Sequence, residues 1–192
     1  MESHKKWTEH SNVAFMRGWE GRMNEKFERY PWFFKHMEAP AKVLEIGFSS
    51  SEALTYLACN GYECTGIDLP NIVARVRYPH EEIKYIAFNM DQPNAEELAT
   101  LFTEEFDYVI CGEVLQHVVF DENLLYAIWH YLKKGGKLLL STECKNLVSH
   151  AFRFYNPIGI RILLETMDFD VENMTTSGQE GYIWISAIKR NL

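Results

Sequence analysis

The sequence predicts one α/β domain with a seven-stranded, mostly parallel sheet, an antiparallel last strand and helices on both faces. Three observations support this prediction. From Ala41 onward, short runs rich in β-branched residues alternate with stretches of helical periodicity, as in a parallel sheet. The last two β-rich runs have no helix between them, which forces one antiparallel partner onto the sheet. The length of 192 residues suits one domain and leaves little room for a second.

Seven short segments are predicted as strands because they are apolar and rich in β-branched or aromatic residues. In chain order they are 42–46, 63–67, 83–88, 107–111, 137–142, 169–174 and 181–188. The first two are joined by a stretch with apolar residues at helical spacing. That stretch ends at Asn60-Gly61, a pair typical of a helix C-terminus.

Three further helices are predicted between the later strands. One lies near 95–102 and leads into the fourth strand. Asp121 is expected to cap a second helix, with the lysines at 133–134 near its negative end and the glycines at 135–136 terminating it. The pair at 156–157, Asn-Pro, opens a third helix with one apolar face.

Residues 1–40 differ from the domain predicted over 41–192, because they are rich in aromatic residues and contain no convincing strand. They are expected to form one or two helices that end near Tyr30-Pro31. Trp7 and Trp19 have two interpretations. They line a lid that excludes water and binds the acceptor, or they bury an outer face of the sheet.

Composition excludes several classes of protein. The formal net charge of −8 argues against duplex nucleic acid as the main partner, because phosphate binding needs a basic face. No apolar run approaches the ~20 residues that cross a bilayer, and the first ten residues lack an apolar stretch of signal-peptide length. We therefore expect a cytoplasmic protein that has no membrane partner. The cysteines and carboxylates show no metal-like spacing, so no metal is predicted.

Two features indicate a nucleotide site at the carboxyl ends of the strands. The segment 43–52 joins the first strand to its helix, and Gly47 permits a tight turn with close approach of a ligand. Ser49 and Glu52 have the spacing of a capping box, although an ordinary turn also explains this loop. Asp68 follows Gly47 by 21 residues. This is the place where nucleotide-binding folds put an acid on the ribose, with a helix N-cap as the alternative.

Four segments resemble motifs of class I S-adenosylmethionine-dependent methyltransferases. VLEIGFSSSEALTYLACNGYECTGIDLP is similar to their first two motifs, FDYVICGEVLQHV to the fourth-strand motif and LKKGGKLLLST to the fifth-strand motif. HAFRFYNPIGIRILLETMDFDVE resembles the stretch after strand five in their small-molecule branch. The resemblance covers about residues 41–190. It implies a Rossmann-like methyltransferase fold that binds S-adenosylmethionine and methylates an oxygen or nitrogen of a small-molecule acceptor.

The same resemblance implies roles for individual residues. Asp68 would hold the ribose and Leu69 would lie against the adenine. Asn89 and Met90 end the third strand where the family places a contact to the adenine amino group, and Asp91 could substitute. The implied cofactor site comprises Glu45, Gly47, Phe48, Ser49, Ser51, Asp68, Leu69, Asn89, Met90, Asp91, Cys111, Gly112 and Glu113.

The loop departs from the family pattern at Ser49 and Ser51, since the family commonly has three glycines at alternate positions. Serine tolerates a positive φ poorly. Either the loop takes a different path, or the serine hydroxyls contact the cofactor.

A hydroxyl acceptor must lose a proton, and a histidine is suited to that task. His117 is the candidate general base. It follows Glu113 by four residues, which puts both on one face if the stretch is a helical turn. A structural role is the alternative. His150, Arg153 and Tyr155 are expected to border the acceptor, although Arg153 could instead form a surface ion pair.

Two other functions fit parts of the sequence. A protein of this fold that no longer catalyses, and serves as a binding or partner subunit, would explain the two serines. A nicotinamide-dependent oxidoreductase expects G-x-G-x-x-G, and the stretch 47–52 keeps only the first glycine.

Overall fold

The computed structural model describes residues 29–76, 79–145, 151–177 and 181–190. Contacts divide the chain into two units, Met1–Glu38 and Ala39–Leu192. In the first unit, helix α1 covers Arg29–Phe34. The prediction that this helical segment ends near Tyr30-Pro31 is wrong, since the helix continues three residues past the proline. Pro31 lies in the first turn of the described helix, where a missing N–H is tolerated. Trp7 and Trp19 lie outside the described residues.

The second unit contains the sheet, and its strand order is β3-β2-β1-β4-β5-β7-β6. Strand β7 is antiparallel to both of its neighbours, and every other pairing is parallel. The predicted seven-stranded fold is therefore confirmed. The strands are β1 (Lys42–Ile46), β2 (Glu63–Asp68), β3 (Lys84–Ala87), β4 (Phe106–Gly112), β5 (Leu132–Glu143), β6 (Phe169–Ser177) and β7 (Tyr182–Lys189).

Five helices of this unit lie in the part of the chain that the structure describes. They are α2 (Glu52–Cys59), α3 (Pro70–Val73), α4 (Ala95–Ala99), α5 (Asp121–Tyr131) and α6 (Pro157–Thr166). Helix α4 is shorter than predicted, and α3 was not predicted because a four-residue helix has no periodicity to read. The Asn156 side chain caps α6, as expected, by accepting a hydrogen bond from the Gly159 amide at 2.7 Å.

Helix α5 differs from its prediction at both ends. Asp121 is its first residue rather than its cap, and the preceding residue, Phe120, makes no side-chain cap. The predicted terminators at 133–136 belong to strand β5, which begins at Leu132 directly after the helix. Leu132 is completely buried and pairs with Phe106 of β4. Burial of this apolar side chain in the sheet, rather than the glycine signal, sets the end of α5.

Helices cover both faces of the sheet. Leu44 and Ile46 project from one face into a buried cluster with Leu124 of α5 and Ile160 of α6. On the opposite face, a Cβ atom at Gly66 would lie 2.6 Å from Leu54 of α2, so this glycine permits close helix packing. Among the helices described, none is long and apolar enough to cross a membrane.

Candidate cofactor and active site

A cavity of about 610 Å³ lies at the carboxyl ends of β1 to β4. This is the edge of an open α/β sheet where ligands bind, and the volume is in the range of small-molecule sites. Nine residues predicted for the site line it: Gly47, Ser49, Asp68, Leu69, Asn89, Met90, Asp91, Glu113 and His117. The tertiary fold thus brings eight of the thirteen predicted cofactor residues, together with His117, to one place.

Gly47 makes the turn that opens the cavity. Its φ is 74°, a conformation that favours glycine, and its amide donates to the Ile67 carbonyl of β2 at 2.8 Å. A Cβ atom here would lie 2.3 Å from Cγ2 of Val114. Residue 47 must therefore be glycine because both its backbone conformation and the close approach of the loop after β4 require it.

The two serines follow the path that glycines would take. Ser49 and Ser51 have φ values of 52° and 66°, a left-handed conformation that glycine adopts readily. The Ser51 hydroxyl shares a 2.8 Å hydrogen bond with the Tyr85 hydroxyl, and Ser51 is completely buried. The predicted capping box is wrong, because Ser51 occupies the N-cap of α2 and makes no side-chain cap. Ser49 lines the cavity and Ser51 does not.

Asp68 joins the loop after β1 to the end of β2. One carboxylate oxygen accepts from the Ser49 amide at 2.8 Å, and the other accepts from the Leu69 amide at 2.7 Å. Each oxygen has a second acceptor position, and the residue lines the cavity. The N-cap of the next helix, α3, is Leu69 rather than Asp68. The carboxylate is therefore fixed by backbone groups and suited to accept from two hydroxyls of a ligand.

The end of β3 forms the next part of the wall. Asn89 accepts a hydrogen bond from the Asp91 amide at 3.0 Å. One oxygen of Asp91 accepts from the amides of both Val119 and Phe120, each at 3.0 Å. Asp91 thus lines the cavity and also holds the chain before α5 in place.

Glu113 and His117 lie beyond the end of β4. A 3₁₀ turn at Leu115–His117 begins after Glu113, so the two residues do not belong to one α-helical turn. Glu113 has a φ of 59°, which is unusual for a residue other than glycine. Its carboxylate accepts from the Gln116 side-chain amide at 3.1 Å. Both Glu113 and His117 are among the residues that line the cavity, and their predicted roles stay predictions.

Five predicted cofactor residues do not line the cavity: Glu45, Phe48, Ser51, Cys111 and Gly112. Glu45 and Phe48 are buried, and the Phe48 ring packs against Tyr85 with 5.3 Å between ring centroids. Cys111 is completely buried within the sheet. Burial, with a smaller contribution from Glu113 and Glu45, raises the pKa of its thiol to about 12. Phe48 and Cys111 therefore belong to the buried packing and not to the cavity lining.

The predicted acceptor residues have partners of their own. The Tyr155 hydroxyl donates to Asp121 at 2.5 Å, and Arg153 forms an ion pair with the same carboxylate. Arg153 also donates to the Val119 carbonyl at 2.7 Å. Burial, together with the bond to Asp121, raises the pKa of Tyr155 above its usual range. Arg153 thus forms the ion pair that was the alternative to acceptor binding. His150 lies outside the described residues.

Six apolar residues of the wall were missed: Ile46, Ile67, Ile72, Phe88, Val114 and Val118. They lie at strand ends or just past them, so strand boundaries could have indicated them. Within the described ranges, no group of three or more His, Cys, Asp or Glu could hold a metal ion. The predicted absence of a metal requirement stays a prediction.

Known proteins resemble this chain in sequence and in fold. A family model described as a methyltransferase domain matches residues 18–177. The ubiquinone biosynthesis O-methyltransferase of Pseudomonas syringae pv. tomato is 31% identical over 114 residues, which are 59% of this chain and 49% of that protein. The chain thus spans about half the length of the curated relatives it matches.

Two solved structures illustrate the range of chemistry on this fold. One is 1,6-didemethyltoxoflavin-N1-methyltransferase from Burkholderia thailandensis, with bound 1,6-didemethyltoxoflavin and S-adenosylhomocysteine. It has a TM-score of 0.68 and 18% identity, covering 95% of this chain and 90% of its own. The (4+2)-cyclase SpnF has a TM-score of 0.66 and 12% identity, covering 83% and 79%. The match to the family model over most of the sequence confirms the predicted resemblance, and the chain belongs to the methyltransferase-domain family.

Proposed function

We propose that the protein transfers a methyl group from S-adenosylmethionine to an oxygen or nitrogen of a small-molecule acceptor. The observation that carries this proposal is Asp68, a carboxylate held by two loop amides at the edge of the cavity. The names of the relatives support it, since they include an O-methyltransferase and an N-methyltransferase. Fold alone would not suffice, because one fold hosts many functions.

The residues present fit this cofactor by their chemistry. Asp68 offers two acceptor oxygens for the ribose hydroxyls, and the apolar side chains of Leu69 and Ile72 suit the adenine face. Asn89 at the end of β3 offers an amide for the adenine edge. Glu113 provides negative charge at the other side of β1, where a positively charged group would be favoured. When bound, the cofactor supplies a methyl group already activated by its sulfonium.

We propose His117 as the general base for a hydroxyl acceptor. His117 lines the cavity, as does Val118, and its amide donates to the Val114 carbonyl at 2.8 Å, which fixes the 3₁₀ turn. A neutral imidazole can accept the acceptor proton as the oxygen attacks, so no alkoxide needs to form in water. An amine acceptor that is already neutral would not need this base. A structural role for His117 is the alternative.

A second candidate is a protein that binds the cofactor without methyl transfer. Ser49 and Ser51 favour it, because both hold backbone conformations that serine tolerates poorly. The cyclase among the structural neighbours supports it too, as a fold relative named for a different reaction. Binding of S-adenosylhomocysteine with no transfer to any acceptor would favour this candidate.

Calorimetric titration with S-adenosylmethionine tests the binding proposal directly. Micromolar or tighter binding is expected, and its absence would contradict the proposal. Transfer is then measured with methyl-labelled cofactor and two acceptor panels, one of phenols and catechols and one of heterocyclic amines. Product in the first panel identifies O-methylation, and product in the second identifies N-methylation. Cell fractionation tests the predicted cytoplasmic location.

A further inference from the structure

A buried side-chain amide lies directly behind the cavity wall. Gln116 has no exposed surface, and its side-chain nitrogen donates to one Glu113 carboxylate oxygen at 3.1 Å. Its side-chain oxygen accepts from the Thr142 hydroxyl of β5, also at 3.1 Å. Because the threonine hydroxyl donates to the amide oxygen, the amide nitrogen is turned toward Glu113. The three residues form a chain of hydrogen bonds from the strand to the cavity.

Glu113 is held by its backbone as well as by this chain. Its amide donates to the Ser141 carbonyl of β5 at 3.0 Å, although the residue has left β4. Its φ of 59° turns the chain sharply at this point. Residues other than glycine in this conformation cluster at functional sites, because surrounding contacts must enforce it. Both the strand and Gln116 therefore fix the direction of the carboxylate.

The strand order indicates which part of the cofactor Glu113 would meet. Strands β3, β2, β1 and β4 are neighbours in that order, so Asp68 of β2 and Glu113 after β4 lie on opposite sides of β1. A ligand with its ribose on Asp68 and its adenine toward β3 would extend its remaining end past Gly47 toward β4. In S-adenosylmethionine that end carries a sulfonium and an α-ammonium group. A fixed carboxylate binds an ammonium through a charge-assisted hydrogen bond.

We propose that Gln116 is a positioning residue that holds the Glu113 carboxylate in place for the α-ammonium group of the cofactor. This inference rests on the proposed function. Thr142 contributes by fixing the orientation of the Gln116 amide. The fragment of the cofactor that ends at the methylthio group lacks the α-ammonium group, so we expect its binding to be independent of all three residues.

Two ligands separate this role from a general structural one. S-Adenosylhomocysteine carries the amino-acid end, and 5′-methylthioadenosine lacks it. Gln116→Met removes the side-chain donor at similar volume, and calorimetry is expected to show about 10-fold weaker binding of S-adenosylhomocysteine. Binding of 5′-methylthioadenosine should stay within about 2-fold of the unmodified protein. Equal loss for both ligands, or no loss for either, would overturn the proposal.

Glu113→Gln keeps the test decisive if Gln116→Met does not fold. It removes the charge at a residue that lines the cavity, and the same selective loss is expected. Thr142→Val should give a smaller selective loss, and its matched control is Thr100→Val, whose exposed hydroxyl donates only to Glu97. An unmodified protein that binds neither ligand contradicts the proposed function itself. If the unmodified protein binds both ligands and Glu113→Gln shows no selective loss, only this inference is contradicted.

Discussion

Asp68, the last residue of β2, and Asp121, the first residue of α5, use their carboxylates differently. Asp68 is held by two backbone amides and still lines the cavity. Asp121 is buried and receives the Tyr155 hydroxyl on one oxygen and the Arg153 guanidinium on the other. Each carboxylate receives one donor on each oxygen, so the difference lies in exposure. Asp68 lines the cavity and can accept further hydrogen bonds from a ligand, whereas the buried Asp121 joins elements of the fold. We therefore expect Asp68 to affect binding and Asp121 to affect stability.

The segment that contains Arg153 and Tyr155 is tied down at several points. The Phe152 amide donates to the Gln116 carbonyl at 2.8 Å, and the Tyr155 amide donates to the Glu143 carbonyl at 3.0 Å. Together with Asp121, these bonds attach the chain after β5 to the region before α5. The segment 151–155 is thus fixed against the turn after β4 and the end of β5.

The largest effect is expected from His117→Ala, which tests the proposed general base in the cavity. If the acceptor is a hydroxyl, removing a positioned base should lower the rate ~10²–10⁴-fold. The rate of the unmodified enzyme should fall at low pH, since a protonated ring cannot accept a proton, and this fall should vanish in the variant. Steady-state rates across pH check both points. Affinity for S-adenosylhomocysteine should stay unchanged.

His130→Ala is the matched control, because His130 lies on α5 and its ring nitrogen bonds to the Tyr126 carbonyl. It should leave the rate unchanged. A fully active His117→Ala enzyme with a hydroxyl acceptor would leave His117 as a structural residue and turn attention to Glu143, His150 and Tyr155.

The next effect compares the two aspartates directly. Asp68→Ala should weaken S-adenosylmethionine binding by about 1.5–3 kcal/mol, the range for hydrogen bonds to a charged group. Asp121→Asn should instead lower the free energy of unfolding by about 1–3 kcal/mol, since two donors lose a charged partner at a partly exposed pair. Calorimetry and urea denaturation measure the two quantities. Reversed outcomes would reject the division of roles between the two sites.

A smaller effect is expected from Tyr155→Phe, which removes one donor of the Asp121 cluster. The loss of stability should be about 1 kcal/mol at neutral pH, with cofactor binding unchanged. Burial and the bond to Asp121 raise the pKa of Tyr155 in the folded state. Its contribution is therefore complete below the unfolded value of about 10 and falls as pH rises above it. Melting temperature against pH should be flatter for the variant above pH ~10.

The smallest effect concerns the serine loop beside Asp68. Ser49→Gly relaxes a left-handed backbone conformation but removes a hydroxyl from the cavity wall. We expect stability to rise by up to about 1 kcal/mol. If the Ser49 hydroxyl contacts the ligand, as proposed from the sequence, S-adenosylmethionine affinity should not increase. Ser51→Gly is the comparison, since its hydroxyl bonds Tyr85 away from the cavity. Tighter binding by Ser49→Gly would reject the contact.

Local sequence was sufficient for much of the architecture and for half of the site. Alternating β-rich and helical periodicity predicted the seven strands, because each period reports which side chains face the core. Gly47 and Asp68 were found together because one strand–helix–strand unit separates them, and such units have a nearly constant length. Predictions at α5 failed where the burial of Leu132 in β5 outweighed a glycine signal.

Only the tertiary structure decided the contacts that cross the molecule. The side chains of Gln116 and Thr142 are hydrogen-bonded although they are 26 positions apart in the sequence, and those of Tyr155 and Asp121 are hydrogen-bonded across 34 positions. No periodicity or motif encodes such pairs, because they depend on which strands become neighbours in the sheet. The sequence alone thus determined the fold class and the ribose end of the predicted site. The packing of β4 against β5 determined how Glu113 is held, because a hydrogen bond needs two groups at about 3 Å whatever their separation along the chain.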